Sequence, residues 1–556
     1  MKTLRQIHRI LQCARSAIQE VQSKVLSLMP GGRAAAKTRA AGLVLLNIFS
    51  RAGGANLVPG IRKVLIDGTW DNANYWTRFA IVRRALSLDS IVEVGLLGQY
   101  SRKKSRSAFT AFGISEFVDL QTVSQFGRYV AQAQALLRTV KSADELISIY
   151  LPYDFPPEIF YDGVLKRQRS STVDIADPML PNYLAETIAA LHAGEDIVAR
   201  GGFDLVILSH VIDYVYGAIA WAAIRHSIPV LALYGDFGHT KFFHLKKSRD
   251  LFMYPERPTN DELSSLSLEN LLSLKQLGAQ QLGARLGGKT ADVGAIYAYR
   301  RRQGPISRNE MASQFGWDVS RPTIGIYNSN WFDFPHSSGL HSFRDFLDWI
   351  KATIDIAKVR TEINWLFKSH PCDDWYDKIN GQRLEDLVAE INLPHIRLAD
   401  KTWSGLDLIR SLDGIVTCHG TIGLEATSQS VPVLVPYAGW YGHAGFVTSA
   451  KSRDDYLSKL QSAWWLESNT DANREQAELF AGWAFCVPDW YEDCFFHDDS
   501  QQDIVYSDLK KFLLSNLTML EREADEVADW FIDGHPYYHI FSMKRASGFR
   551  LGNCET

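Results

Sequence analysis

The sequence predicts an α/β protein of two Rossmann-like lobes joined by a polar connector. Short, continuous apolar runs alternate with helical patterns before about residue 240 and again after Arg321, the texture of parallel strands covered on both faces. Residues 250–320, between the two series, are polar and helical in pattern with few strand signals. The length, 556 residues, exceeds what one hydrophobic core usually holds. Two such lobes predict one cleft, with ligands bound beyond the carboxyl ends of the strands.

Residues 1–60 stand outside this texture, as a basic helical extension. Leu4, Ile7, Leu11, Ala14, Ile18, Val21, Val25 and Leu28 make an unbroken a/d heptad pattern ending at Pro30. Residues 1–63 hold eleven Lys or Arg and one acid, whereas the remainder carries 48 basic and 62 acidic residues. Residues 2–29 are therefore read in two ways. One is a helix packed on the body or on a coiled-coil partner. The other is attachment to the anionic inner face of the cytoplasmic membrane, where each nearby basic residue adds about 1 kcal/mol.

The N-terminal lobe, the acceptor side, is assigned to residues 61–300. Its strands are expected at 64–66, 90–96, 203–209 and 228–234, with helices at about 74–85 and 214–225. Asp67, Gly98, His210 and Asp236 then fall at strand ends. The basic run Ser101–Arg106 is read as a solvated loop, or as a holder for an anionic acceptor such as a lipid-linked pyrophosphate.

The C-terminal lobe, the donor side, is assigned to 301–500. Strands are expected at 323–327, 363–367, 395–398, 414–418 and 431–435, with a helix at about 343–359. A long helix pattern from Gln502 to Phe531 closes the chain, within a C-terminal segment assigned to 501–556.

Composition narrows the class. Apolar content of 46% and charged content of 22% are those of an ordinary globular protein. No run of 18 apolar residues is present, and the six cysteines show no CxxC spacing. With no signal-peptide pattern, these predict a cytoplasmic protein without a zinc site. An acidic body without a recognition module argues against nucleic acid. Many of the 15 Trp fall after residue 360, as packing or as platforms for sugar rings.

Chemistry concentrates at two strand ends of the second lobe. The turn His419-Gly420-Thr421 offers an imidazole, backbone N–H groups and a hydroxyl at a helix start, which suits an anion. Glu425 lies four residues on, on the face of Thr421, and can serve a ribose or orient a histidine. Lys368-Ser369-His370-Pro371 ends the 363–367 strand, where His370 and Lys368 can reach the same phosphate.

These segments carry a resemblance. Phe367-Lys368-Ser369-His370-Pro371 resembles the His-Pro motif of bacterial sialyltransferases and related enzymes using CMP-activated acidic sugars. His419–Ala426, followed by the strand and Tyr437-Ala438-Gly439-Trp440, is similar to the corresponding segment of capsule and lipopolysaccharide β-Kdo transferases. The resemblance covers about 365–445. It implies the two-lobed glycosyltransferase B (GT-B) fold. It also implies a CMP phosphate held by His370, Lys368, His419, Gly420, Thr421 and Tyr437, and an Asp facing the sugar. That Asp maps onto Asp236, although Gly-Asp-Phe-Gly stands where the family has Glu-Asp-Gly; Tyr161-Asp162-Gly163 is a rival match. Asp236 is expected as nucleophile or general base, with His239 and His244 as possible partners to it and Glu158 as a further acidic candidate.

The function expected is transfer of a sugar, most readily Kdo, from a CMP-activated donor to a surface glycan or its lipid-linked precursor, without metal or cofactor. Two alternatives remain: a CDP-polyol phosphate transferase of the teichoic-acid type, and a non-catalytic scaffold in polysaccharide assembly.

Overall fold

The computed structural model describes residues 30–51, 60–68, 73–97, 102–120, 126–233, 241–252, 258–290, 293–299, 307–371, 373, 379–437, 439–467, 470–485, 506, 509–535 and 537–539. The heptad segment 2–29, Asp236 and His239 lie outside these residues.

The first lobe opens with helix α1 (Pro30–Arg51), strand β1 (Lys63–Asp67), α2 (Ala73–Ala85), β2 (Val92–Leu97), α3 (Arg102–Ala111) and β3 (Glu116–Asp119). It continues through α4 (Pro157–Gln168), α5 (Leu180–Gly201), β4 (Leu205–Leu208), α6 (Tyr214–Arg225), β5 (Val230–Ala232) and β6 (Lys241–Leu245). Helix α7 (Leu268–Leu286) belongs to the connector. The second lobe comprises β7 (Thr323–Tyr327), α8 (Phe346–Val359), β8 (Asn364–Lys368), β9 (Ile396–Leu398), β10 (Gly414–Thr417), α9 (Ile422–Thr427), β11 (Val433–Val435), β12 (Thr448–Ser449) and α10 (Thr470–Ala484). The chain then returns to the first lobe as α11 (Leu509–Asp533) and β13 (Tyr537–His539).

Each lobe is built on its own sheet. The first has seven strands in the order β13-β6-β5-β4-β1-β2-β3, parallel except where β6 meets β5 and β13. The second has six, β12-β11-β10-β7-β8-β9, all parallel. The central strands are buried on both faces, as Val64, Leu65 and Ile66 in β1 and Ile415 and Val416 in β10 illustrate. Burial on both faces is why they read as unbroken apolar runs. Two Rossmann-like lobes with a terminal helix returning to the first make the expected GT-B layout.

Several elements depart from the sequence expectation. The basic run is no loop: Arg102 starts α3, since Arg and Lys are good helix formers and Ala108 and Phe109 bury one face. Strands β3 and β6, and helix α5, have no counterpart in the sequence reading. β3 is a half-exposed edge strand flanked by acids, which gives no apolar run.

The connector packs closely on the second lobe. A Cβ on Gly278 of α7 would lie 1.7 Å from the Glu478 carbonyl oxygen of α10. One on Gly482 of α10 would lie 1.9 Å from that of Leu274. Two facing glycines let these helices touch at backbone distance and fix the last turn of α7, which carries Arg285.

The lobes meet through α4. The buried Asp162 carboxylate accepts the backbone N–H groups of His336 and Ser337, each at 3.0 Å, and lies 2.7 Å from His336 Nδ1. Tyr161 donates its hydroxyl to Asp345 at 2.7 Å.

Candidate active site

Strand β7 lies between β10 and β8, so the turns after these three strands are neighbours. Together they wall a cavity of about 470 Å³. Its lining includes Asn328–Asn330 after β7, Lys368–Pro371 at the end of β8, and His419–Ile422 after β10. The two segments singled out in the sequence, 368–371 and 419–425, thus face one space. Lys368, His370, His419, Gly420, Thr421 and Glu425 all line it; Tyr437 supports it from behind.

The aromatic loop after β11 shapes the turn. Trp440 donates its indole N–H to the His419 carbonyl at 2.8 Å, and Tyr441 its hydroxyl to the Gly420 carbonyl at 2.9 Å. Because peptides are planar and trans, each tied carbonyl turns the N–H of the following residue, Gly420 or Thr421, the opposite way. Tyr441 reaches Gly420 only because Gly423 has no side chain: a Cβ there would lie 2.2 Å from the Tyr441 oxygen.

Tyr437 fixes the imidazole itself, its hydroxyl 2.8 Å from His419 Nδ1. Burial pushes the His419 pKa down to about 4, against a smaller opposing pull from Asp333. The ring is therefore neutral at ordinary pH. The neutral ring has one donor and one acceptor nitrogen, and the Tyr437 hydroxyl, which can play either part, engages Nδ1. Helix α9 has only six residues, so its dipole adds little. The polar groups at the turn are specific: the hydroxyl, the imidazole and the two amides.

Glu425 sits one turn behind Thr421. Arg285 donates from Nε to Glu425 Oε1 at 3.0 Å and from Nη2 to Thr421 Oγ1 at 3.2 Å. Tyr299 donates its hydroxyl to the other carboxylate oxygen. The side chains of Arg285 and Glu425 are each only 4% exposed. One guanidinium thus ties the carboxylate to the threonine, as expected of residues four apart on one helix face. Burial and the nearby Glu425 carboxylate hold the Tyr299 hydroxyl pKa well above its usual value.

Two further walls carry unmet hydrogen-bonding capacity. Asn328 is 5% exposed, and neither atom of its carboxamide has a hydrogen-bond partner among the described residues. The buried Tyr327 hydroxyl is in the same state. Leaving such a group unsatisfied costs about 1–3 kcal/mol, so a ligand that completes it is favoured.

On the first-lobe side, β5 stops at Ala232; Asp236, four residues on, lies outside the described residues. Asp67 ends β1 with its carboxylate accepting the Ser209 hydroxyl at 2.6 Å and backbone N–H at 3.3 Å, an internal brace between strands. Burial lowers the His210 pKa to about 4. The rival Asp162 is fully buried inside α4, consumed by the interlobe contact. His244 is core, stacked on Phe531 of α11. Glu158 lies in the first turn of α4.

Arg285, Tyr299, Asn328 and Tyr441 belong to this site and are missed by sequence reasoning. Arg285 and Tyr299 come from the connector, 140 and 126 residues before Glu425, and no local pattern announces such pairs. Asn328 carried a signal, a polar run directly after a buried strand.

No protein-family model and no curated protein matches the chain. Among solved structures, the chain is similar to the KpsC β-Kdo 2,4-transferase of Thermosulfurimonas dismutans, at 14% identity over 50% of this chain and 79% of that one, with a TM-score of 0.28. It is also similar to the UDP-GlcNAc 2-epimerase of Neisseria meningitidis bound to UDP-GlcNAc, at 13% identity over 82% and 100%, TM-score 0.21. The glycosyltransferase SnogD of Streptomyces nogalater matches at 10% identity over 82% and 99%, TM-score 0.21.

Proposed function

We propose that the chain is a glycosyltransferase that takes its sugar from a CMP-activated donor, Kdo above all, and adds it to a surface glycan or a lipid-linked precursor. The observation that carries this reading is the convergence of Lys368–His370 and His419–Thr421 on one cavity. In the proposal that cavity holds the CMP phosphate.

His370, Lys368, the Thr421 hydroxyl and the turn amides bind the phosphate in this scheme. They stabilise the negative charge that grows on it as the bond to the anomeric carbon breaks. In the scheme Tyr437 donates to His419 Nδ1, which leaves the neutral ring an Nε2–H donor. Glu425 holds Arg285 against Thr421, and its remaining lone pairs are available to a ribose hydroxyl. Asn328 and Tyr327 supply polar contacts to the donor. Asp236, which follows β5 in sequence, faces the sugar as nucleophile or general base. The scheme uses no metal and no cofactor. The proposed place of work is the inner face of the cytoplasmic membrane, reached through residues 2–29; among the described residues no helix is long and apolar enough to cross a bilayer.

A donor comparison tests the reading. The full chain, incubated separately with CMP-Kdo and CDP-glycerol, is expected to release CMP from the first and to leave the second intact. His370→Ala should lower the rate by roughly 10²–10³, the usual cost of losing one preorganised donor. Turnover of CDP-glycerol alone would assign a polyol-phosphate transferase instead. An unchanged rate in His370→Ala would remove the phosphate site from the mechanism.

A further inference from the structure

Helices α3, α1 and α11 lie side by side on the outer layer of the first lobe. Arg39 of α1 donates to the Lys104 carbonyl of α3 at 3.2 Å, and Asn47 to that of Ala111 at 3.0 Å, so the two helices run alongside in the same direction. On the other flank, a Cβ on Gly42 of α1 would touch Tyr506 and Leu509. Arg84 of α2 bridges the Phe49 carbonyl, at 3.1 Å, to Glu521 of α11, at 2.9 Å. The inward sides of α1 and α11 supply Leu43, Leu46, Phe512 and Leu520 to one buried cluster.

The outward side is unusual in two respects. Along α1 the exposed positions Lys37, Ala41, Val44, Ile48 and Arg51 recur at spacings of four and three, one apolar stripe with a cation at each end. Val44 is 46% and Ile48 61% exposed, and on α11 Leu514 is 72% and Leu517 43% exposed. Flanking this apolar band are the exposed Lys103, Lys104 and Arg106 of α3 and Lys510 and Lys511 of α11, while Arg102 is paired with Asp119. Neither α1 nor α3 contains an acidic residue, and α11 has none before Glu521. The remainder of the chain after residue 63 carries a net excess of acids, so this face concentrates positive charge on an acidic body.

We infer that this three-helix face docks on an anionic lipid bilayer. Exposed aliphatic side chains in a row enter the acyl boundary, and flanking Lys and Arg meet lipid phosphates. An aliphatic row bordered by cations, on helices that carry no acid beside it, matches the layering of acyl chains beneath anionic phosphates. The surface lies outside residues 2–29 and outside the cavity, and stands whether or not the donor is CMP-Kdo.

Cosedimentation of the full chain tests it, with vesicles of phosphatidylcholine alone and vesicles that also contain phosphatidylglycerol. The chain is expected to bind only the second, and less as salt rises. Val44→Asp/Ile48→Asp and Lys103→Ala/Lys104→Ala both keep residues 1–29, so a loss reports this face. Each basic residue near the surface is worth about a fivefold change in partitioning, so the lysine pair should weaken binding about twenty-five-fold. Melting curves matching wild type establish that the variants fold. Wild-type binding by both variants, or no binding by the wild type, overturns the inference. Concentration-dependent dimers lost in Val44→Asp/Ile48→Asp, with lipid binding intact, overturn it in favour of self-association.

Discussion

At the residue scale, the Arg285–Glu425 pair sets the back wall of the cavity. Both charges are buried, so each depends on the other for compensation. Removing one partner strands the other: Glu425→Gln should cost about 3–5 kcal/mol in a denaturant melt. Arg285→Met/Glu425→Leu, which removes both charges, should recover much of that loss. Nucleotide affinity should stay low in the double variant, because Thr421 no longer has its guanidinium neighbour. A double variant no more stable than Glu425→Gln would show that the pair is not coupled. Half of this arrangement was legible in the sequence: four-residue spacing put Thr421 and Glu425 on one face, and Arg285 indeed touches both. The arginine itself was not legible, because its place depends on how α7 seats on α10 through Gly278 and Gly482.

At the element scale, the readable strands were those buried on both faces. β7, β8 and β10 fall within a residue of their expected limits, since Ile324, Leu366 and Val416 sit in continuous apolar runs. Edge strands carry no such run. β12 has two residues, and β13 owes its place to pairing with β6, nearly 300 residues earlier in the chain. Helix boundaries follow caps more than periodicity. α8 was expected from about 343 and begins at Phe346, because the Asp345 side chain accepts the Asp348 N–H at 2.9 Å. The Tyr-Ala-Gly-Trp loop was singled out for its composition. Its physical task, fixing the carbonyls of the 419–420 turn, needed Tyr441 and Gly423 as well.

At the scale of the molecule, the lobes are joined by groups whose charge responds to pH. Burial alone opposes a charged His336, but the Asp162 carboxylate outweighs it and holds the pKa above its usual value. That contribution is fully present below about pH 6.5, the unfolded value, and is lost as pH rises through the folded one. His210, His244 and His419 have the opposite sign: burial lowers each to about 4, so the unfolded chain takes up their protons first. Burial also lowers His192 and His341, and the His336 contribution no longer grows below about pH 6.5, so the melting temperature should fall between about pH 6.5 and pH 5, above the range where most carboxylates titrate. A melting temperature that is flat or rising over that interval would show that these rings do not stay buried and neutral in the folded chain.

The central claim is that one cavity holds a nucleotide phosphate between the ends of β8 and β10. A crystal structure of the full chain with CMP tests it most directly. The expected result is the phosphate within hydrogen-bond distance of the His370 ring and the Thr421 hydroxyl, with Asn328 taking a polar partner from the nucleotide. CMP bound elsewhere, or a cavity that stays empty at CMP concentrations saturating the protein in solution, would contradict it.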